Sequence, residues 1–422
     1  MITQTIFSVT VLVLCYTLVS GWVKRGPLTP ALVFVTVGVL LGPDVLGIIN
    51  VRPGAEGFKI LLELALTLIL FNQAARLDVR TVLRGKALPR RLIRIGIPLS
   101  LALGSLAALL VLPVLPFWEA FVLAVVVAPT EAALVESLVE NRRIPSRIRE
   151  GLSVESGIYD GFAIAALLTF LAVASQQADP APGHWIGFGS RTVVLSVAVG
   201  AATGFLGGKA VAFSRSRGWM TESWTQLGTL ALAIFCFALG EEVHGSGFVA
   251  AFAGGLAYAT VIPSDAERPS TTDVAKAAGE LLELVAFAMI GALLVVPAFR
   301  DADWRIFLFA VLALALRVGS VALAMIRSGL STRSVLFMGW FGPRGIATLV
   351  LALVVLEDGR THEHLLIAQV AIVTVTISIV LHSLTAPFGI RWLHAEDEAP
   401  EPAATQADGG PAAPQPRADD QR

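Results

Sequence analysis

Apolar runs of roughly twenty residues, parted by short polar stretches, recur along this chain from end to end. At 1.5 Å per residue a helix of that length crosses the hydrocarbon core of a bilayer. The pattern predicts an all-α polytopic membrane protein with about 13 transmembrane helices. They fall near 4–22, 29–49, 58–75, 92–112, 117–139, 151–174, 190–212, 224–240, 246–262, 279–298, 304–326, 334–355 and 365–390. The weakest division is GEEVHGSG, between the eighth and ninth runs. Fusing those two would reverse every later segment and undo the charge sorting below.

Lysine and arginine sort between the loops. Lys24, Arg25, Arg76, Arg80, Arg84, Lys86, Arg90, Arg91, Arg94, Arg142, Arg143, Arg147, Arg149, Arg215, Arg217, Arg268, Lys276, Arg327 and Arg333 follow odd-numbered segments. The alternate loops hold Arg52, Lys59, Arg300, Arg305 and Arg360, with Arg191 at a segment edge. Positive charge stays inside, so the N-terminus is expected outside and the C-terminus in the cytoplasm. The basic stretch 76–94 reads as topology signalling ahead of a contact to anionic lipid.

Composition agrees: 422 residues, 55% hydrophobic, mean hydropathy +0.75. A net charge of −1 gives no reason to expect nucleic acid as a partner. Cys15 and Cys236 lie in apolar runs and form neither a disulfide nor a zinc pattern. The first run has no basic leader and no convincing cleavage site, so it reads as an uncleaved span. Residues 395–422, rich in Ala, Pro, Asp and Glu, read as a disordered cytoplasmic tail behind a transmembrane domain of residues 1–394.

Segments 1–6 and 8–13 are offset by an odd number, so matching segments run in opposite directions: inverted repeats of six. The fifth segment is interrupted in VVVAPTEAALVE by Pro129, and the twelfth in MGWFGPRGIATLV by Gly342, Pro343 and Gly345. Proline removes a backbone donor and clashes with the preceding turn. Broken helices at corresponding positions of two inverted halves point to a binding site at the bilayer midplane.

The chemistry gathers in GLSVESGIYDGFAIAALLTFLAVAS (151–175), where Glu155 and Asp160 sit in an otherwise apolar span. Each ionised carboxylate there costs on the order of 3 kcal/mol on insertion scales, so this helix faces protein or water. Ser156 and Asp160, four residues apart, share a face, and Glu155 points roughly 100° away. Asp160 is expected to bind a proton or a monovalent cation, with Ser156 as a neutral metal ligand beside it. Desolvation favours the neutral acid and a cation favours the charged one, which is enough to couple opposed fluxes. Arg344, in the broken twelfth span, needs a carboxylate, and Glu155 is expected to form that structural ion pair. Glu131 has three uses open to it: ion ligand, titrating group, or cap on an opposing half-helix, the last favoured. The carbonyl freed near Thr130 is a further ion-binding candidate. Arg317 needs a partner the sequence does not name, Glu63 and Glu136 read equally as funnel residues or as snorkelling edge residues and helix contacts, and Glu119 reads as a solvated edge residue. Glu241, Glu242 and His244 read as a solvated turn.

The stretches APTEAALVESLVENRRIPSRIREGLSVESGIYDG, GWFGPRGIATLVLALVVLE and FNQAARLDVR resemble the cation:proton antiporter-1 family, the NhaP-type sodium/proton antiporters and their eukaryotic relatives. The resemblance covers nearly the whole chain except the tail. It implies a homodimer, with core spans at about 92–174 and 304–390 and dimerisation spans at about 1–75 and 224–298. It also implies the ion-binding aspartate at Asp160, its serine at Ser156, and a glutamate–arginine pair at Glu155 and Arg344. Three positions depart from the family pattern. Thr130-Glu131-Ala132 stands for Thr-Asp-Pro, Tyr159 replaces the asparagine before the aspartate, and Gln73 stands where relatives of this branch often carry an acid. Tyr159 and Gln73 are therefore candidate modulators of ion choice.

The expected function is monovalent cation (Na⁺ or K⁺)/proton antiport in the inner membrane, electroneutral if one proton exchanges for one cation, with no cofactor beyond the transported ions. A symporter of organic anions on a similar scaffold is the alternative, disfavoured by the acids at the centre. An enzyme would need a nucleophile–base pair or metal ligands within the spans, and a channel a repeated selectivity sequence. Neither pattern is present.

Overall fold

A computed structural model of the chain describes residues 2–23, 28–50, 56–77, 87–131, 144–175, 184–262 and 267–397. The tail from residue 398 on, and Lys24, Arg25, Arg52, Arg80, Arg84, Lys86, Glu136, Arg142 and Arg143, lie outside the described residues. Among the described residues every regular element is helical. In order they are α1 (Ile2–Val23), α2 (Pro30–Leu41), α3 (Glu56–Arg76), α4 (Ala87–Arg91, then Ile97–Val111) and α5 (Phe117–Val126). Then come α6 (Ser146–Ser175), α7 (His184–Ser216), α8 (Glu222–Glu242), α9 (Gly247–Val261) and α10 (Glu267–Ile290, then Val296–Arg300). The last are α11 (Trp304–Ala324), α12 (Thr332–Trp340), α13 (Ile346–Asp358) and α14 (His364–Asp397).

The order of elements matches the order of the predicted segments. Among the described residues nine helices are long and apolar enough to cross a membrane, and α2, α5 and α9 are apolar but shorter. Length and hydropathy therefore support nine full crossings by themselves; the number thirteen stays an expectation of the sequence. One boundary moves far. The tenth segment, predicted from 279, begins in the structure at Glu267.

α4 and α10 each contain one π turn, at Leu92–Gly96 and Gly291–Val295. Both stand just before a proline, Pro98 and Pro297. A proline inside a helix cannot donate to the preceding turn and its ring crowds the carbonyl there. A widened turn is one of the ways a continuous helix absorbs that.

α3 packs on α9 and α10, α9 on α7 and α8, and α10 also on α2; α11 packs on α4, α12 and α14, and α5 on α4 and α6. Lipid supplies no hydrophobic drive between helices, so close backbone approach matters more. At the α7–α9 contact Gly200 faces the backbone of Ala250, and Gly204 that of Gly254; a Cβ at either glycine would overlap a carbonyl. The outermost faces carry the apolar surface a bilayer covers, such as Phe7 (68% exposed) and Leu18 (86%) in α1.

Gly204→Val is expected to destabilise the detergent-solubilised protein by about 1–3 kcal/mol, as overpacking does. Gly57→Ala, with nothing within 4 Å of its Cβ position, should leave the melting temperature nearly unchanged. Thermal unfolding followed by tryptophan fluorescence checks both.

Candidate functional site

Both interrupted segments break where the sequence puts the prolines. α5 ends at Val126, ahead of Pro129, and α12 ends at Trp340, ahead of Pro343. The residue before a proline is pushed out of the helical region, so the chain leaves each helix extended. The extended stretches around 128–131 and 341–345 cross, joined by a hydrogen bond from Glu131 N to Pro343 O at 2.6 Å.

Among the described residues three helix ends meet at this crossing, and each takes an opposite charge. Glu131 Oε2 accepts from Ile346 N at 2.6 Å, at the N-terminus of α13. Gly345 leaves room for it, since a Cβ there would strike that carboxylate. Arg344 Nη1 donates to the Ala128 and Pro129 carbonyls past the end of α5. Arg317 Nη1 donates to the Met338 and Gly339 carbonyls at the end of α12, 2.7 Å each. Acid at an N-terminus and guanidinium at two C-termini is the arrangement the helix dipole favours. Of the three uses open to Glu131, capping is the one the geometry displays.

The expected Glu155–Arg344 pair is replaced by another. Glu155 Oε1 accepts from Arg317 Nη2 at 2.9 Å, with both side chains buried. Arg344 lies near enough to feel Glu155 electrostatically, but its Nη1 donates to backbone carbonyls. The physical reason is that a buried guanidinium is satisfied by helix-end carbonyls as well as by a carboxylate. Arg317, without a partner in the sequence reading, is thereby accounted for.

Ser378 and His382, one turn apart on α14, bracket the break in the twelfth span. Ser378 Oγ accepts from Arg344 N at 2.7 Å, and His382 Nε2 meets Trp340 O at 2.8 Å. Glu119, expected to be solvated, is 2% exposed. Its oxygens accept from His362 N (2.7 Å) and Glu363 N (3.0 Å), capping the start of α14. Glu63 pairs with Lys59, which also reaches Glu357 at 2.9 Å.

Asp160 lies beneath the crossing on α6, 3% exposed. Gln73 of α3 sits beside it, and Glu131 is close enough to act on its charge. The Gln73 amide acts on the Asp160 carboxyl as a hydrogen-bonding neighbour, but Asp160 Oδ1 and the amide have no partner at close hydrogen-bond geometry. Ser156 Oγ donates to Thr130 O at 2.9 Å, tying α6 to the extended stretch. Tyr159 is buried against Ile97 and Ala128. The structure thus gathers Asp160, Gln73, Ser156, Thr130 and Glu131 in one place. It adds Glu283 of α10, 3% exposed, whose carboxyl meets that of Glu131. The sequence reading missed this acid because it began the tenth segment only four residues earlier. The signal was there: Glu280 and Glu283 share a face of a span, the argument already applied to Asp160.

Crossed half-helices with a buried, incompletely satisfied acid beneath them define a transporter fold of the broken-helix type. The family model for the transmembrane region of sodium/hydrogen exchangers matches residues 9–393, and the chain belongs to that family. This is a family of transporters, not of enzymes. The chain is 27% identical over 378 residues to the K⁺/H⁺ antiporter NhaP of Alkalimonas amylolytica, covering 86% of this chain and 62% of that protein. It is 27% identical over 270 residues to a probable Na⁺/H⁺ antiporter, C3A11.09, of Schizosaccharomyces pombe, covering 60% of this chain and 35% of the relative. The chain thus spans less than two thirds of the length of these relatives. In structure it is similar to the sodium proton antiporter MjNhaP1 of Methanocaldococcus jannaschii at pH 8, with a TM-score of 0.72 at 18% identity, covering 93% and 99% of the two chains. That likeness is one of fold.

Removing one partner of a buried pair costs about 3–5 kcal/mol, because the other charge is stranded. Arg317→Met and Glu155→Gln should each lower stability by about that much, and the double variant by clearly less than the sum. Arg344→Met combined with Glu155→Gln should show the smaller coupling. A double-mutant cycle on thermal unfolding measures both.

Proposed function

We propose that the chain is a monovalent cation/proton antiporter of the cell membrane, working by alternating access. A proton and Na⁺ or K⁺ compete for Asp160. The observation that carries this reading is the buried Asp160 carboxyl facing the Gln73 amide by the crossing, its Oδ1 without a close hydrogen-bond partner. A cation there would find the Asp160 carboxylate and the Gln73 carbonyl oxygen; a proton would find Asp160 alone. In this arrangement Ser156 and Thr130 hold the wall of the site through their mutual hydrogen bond, and Glu131 holds α13. Tyr159 seals the back.

Exchange of one proton for one cation at Asp160 is electroneutral. The positive-inside distribution supports an outside N-terminus and a cytoplasmic C-terminus. The mobile core comprises spans at about 92–174 and 304–390, and the protein acts as a homodimer through spans at about 1–75 and 224–298. The organic-anion reading has less to stand on: the N-terminus of α13, the half-helix end that would face an anion, is already taken by Glu131.

Asp160→Asn should abolish cation-driven pH change in reconstituted vesicles carrying a pH dye, with unfolding and gel filtration like those of the parent protein. Retained exchange in that variant would sink the reading. Gln73→Ala should raise the apparent cation KM by about tenfold, roughly one lost polar contact at a charged site, with the maximal rate less affected.

A further inference from the structure

Glu283 is the buried acid that the proposed exchange does not use. It is 3% exposed, its Oε1 has no hydrogen-bond partner, and its carboxyl meets that of Glu131. The charged groups acting on it are Glu131, Glu280 and Asp160, all acidic. Two carboxyls this close inside a low-dielectric site are not both bare anions at once. Glu131 commits one oxygen to the N-terminus of α13, whereas Glu283 Oε1 is left without a partner. Glu283 is therefore the acid of the pair with an oxygen to offer.

The helix supplies an approach. Lys276 and Glu280 precede Glu283 by seven and three residues and share its face. They pair at 3.5 Å, and the Glu280 side chain is 49% exposed. Charges this far along an apolar helix need water beside them rather than lipid. A polar row thus leads from the Thr271 end of α10 to the buried acid.

We propose that Glu283 is a further residue of the transport site, holding with Glu131 one positively charged particle, a proton or the transported monovalent cation. This rests on the antiport reading above. With a proton bound the pair carries one negative charge. Release to water along the polar row leaves two, and rebinding restores one. Glu283 works beside Asp160 and from a different helix, so the site has two places where positive charge is exchanged.

The test compares the parent protein, Glu283→Gln and Asp160→Asn in vesicles with the membrane potential clamped. Protons moved per cation and the apparent cation KM are measured across pH with Na⁺ and with K⁺. Glutamine keeps a donor for Glu131 but carries no exchangeable charge. If the particle is a proton, Glu283→Gln lowers the proton-to-cation ratio. If it is the cation, the apparent KM rises about tenfold or more. Parent values for ratio, KM and pH profile together overturn the proposal and leave Asp160 exchange standing. A second measurement is independent of transport and of how Glu283→Gln folds. In Asp160→Asn protein, infrared carboxyl bands that respond to pH or to added Na⁺ or K⁺ support a second charge-exchanging acid. Bands indifferent to both overturn it. Exchange surviving in Asp160→Asn defeats the antiport reading instead, and the infrared response still decides the role of Glu283.

Discussion

Two helices that stop inside a membrane protein create the constraint on which the rest depends. Each stop leaves backbone N–H or C=O groups without partners, in a place where no bulk water can supply them. The chain meets the demand with side chains from elsewhere: Glu131 for the start of α13, Arg344 for the end of α5, Arg317 for the end of α12. These are mutual commitments, because Glu131 and Arg344 sit on the very stretches that cross. Neither break is stable without the other. The crossing is therefore a single unit, and Asp160 below it inherits fixed surroundings.

The same demand explains why buried charge is so common here without being idle. Glu155 reinforces Arg317, Glu119 caps α14, and Ser378 and His382 hold the two sides of the break in the twelfth span. Set against these, Asp160 is shown holding no helix end and no salt bridge among the described residues. Its Oδ1 is buried without a close hydrogen-bond partner. A polar atom is left unsatisfied in such a place at a cost of about 1–3 kcal/mol, and intramembrane acids that bear such a cost sit on ion and proton pathways.

Much of this was legible in the sequence. Pro129 and Pro343 located both breaks, and Asp160 and Ser156 were placed on one face by spacing alone. Glu131 was correctly given to a helix end. What could not be read was pairing between distant segments. The rule that a buried arginine needs an acid led from Arg344 to Glu155, but carbonyls at a helix end serve a guanidinium as well, and Arg317 took the acid. Glu119 was misjudged and Glu283 passed over for a different reason: both stood near an apolar boundary, and hydropathy places boundaries only to within a few residues. In α10 the helix starts twelve residues before the apolar run does, so Glu283 lies well inside it.

The π turn in α10 gives that helix two faces with different tasks. One extra residue in a turn rotates everything beyond it by about 100° relative to an uninterrupted helix. Upstream, the row ending in Glu283 looks toward the acids; within the turn, Gly291 lies against the backbone of Val35 in α2 and Ala292 against Gly42 just past its end. The seam with α2 already begins upstream, where Gly38 lies against the backbone of Ala288. The widened turn lets that seam run on through Gly291 and Ala292 while the helix accommodates Pro297, so the anchor against α2 is continuous across the irregularity.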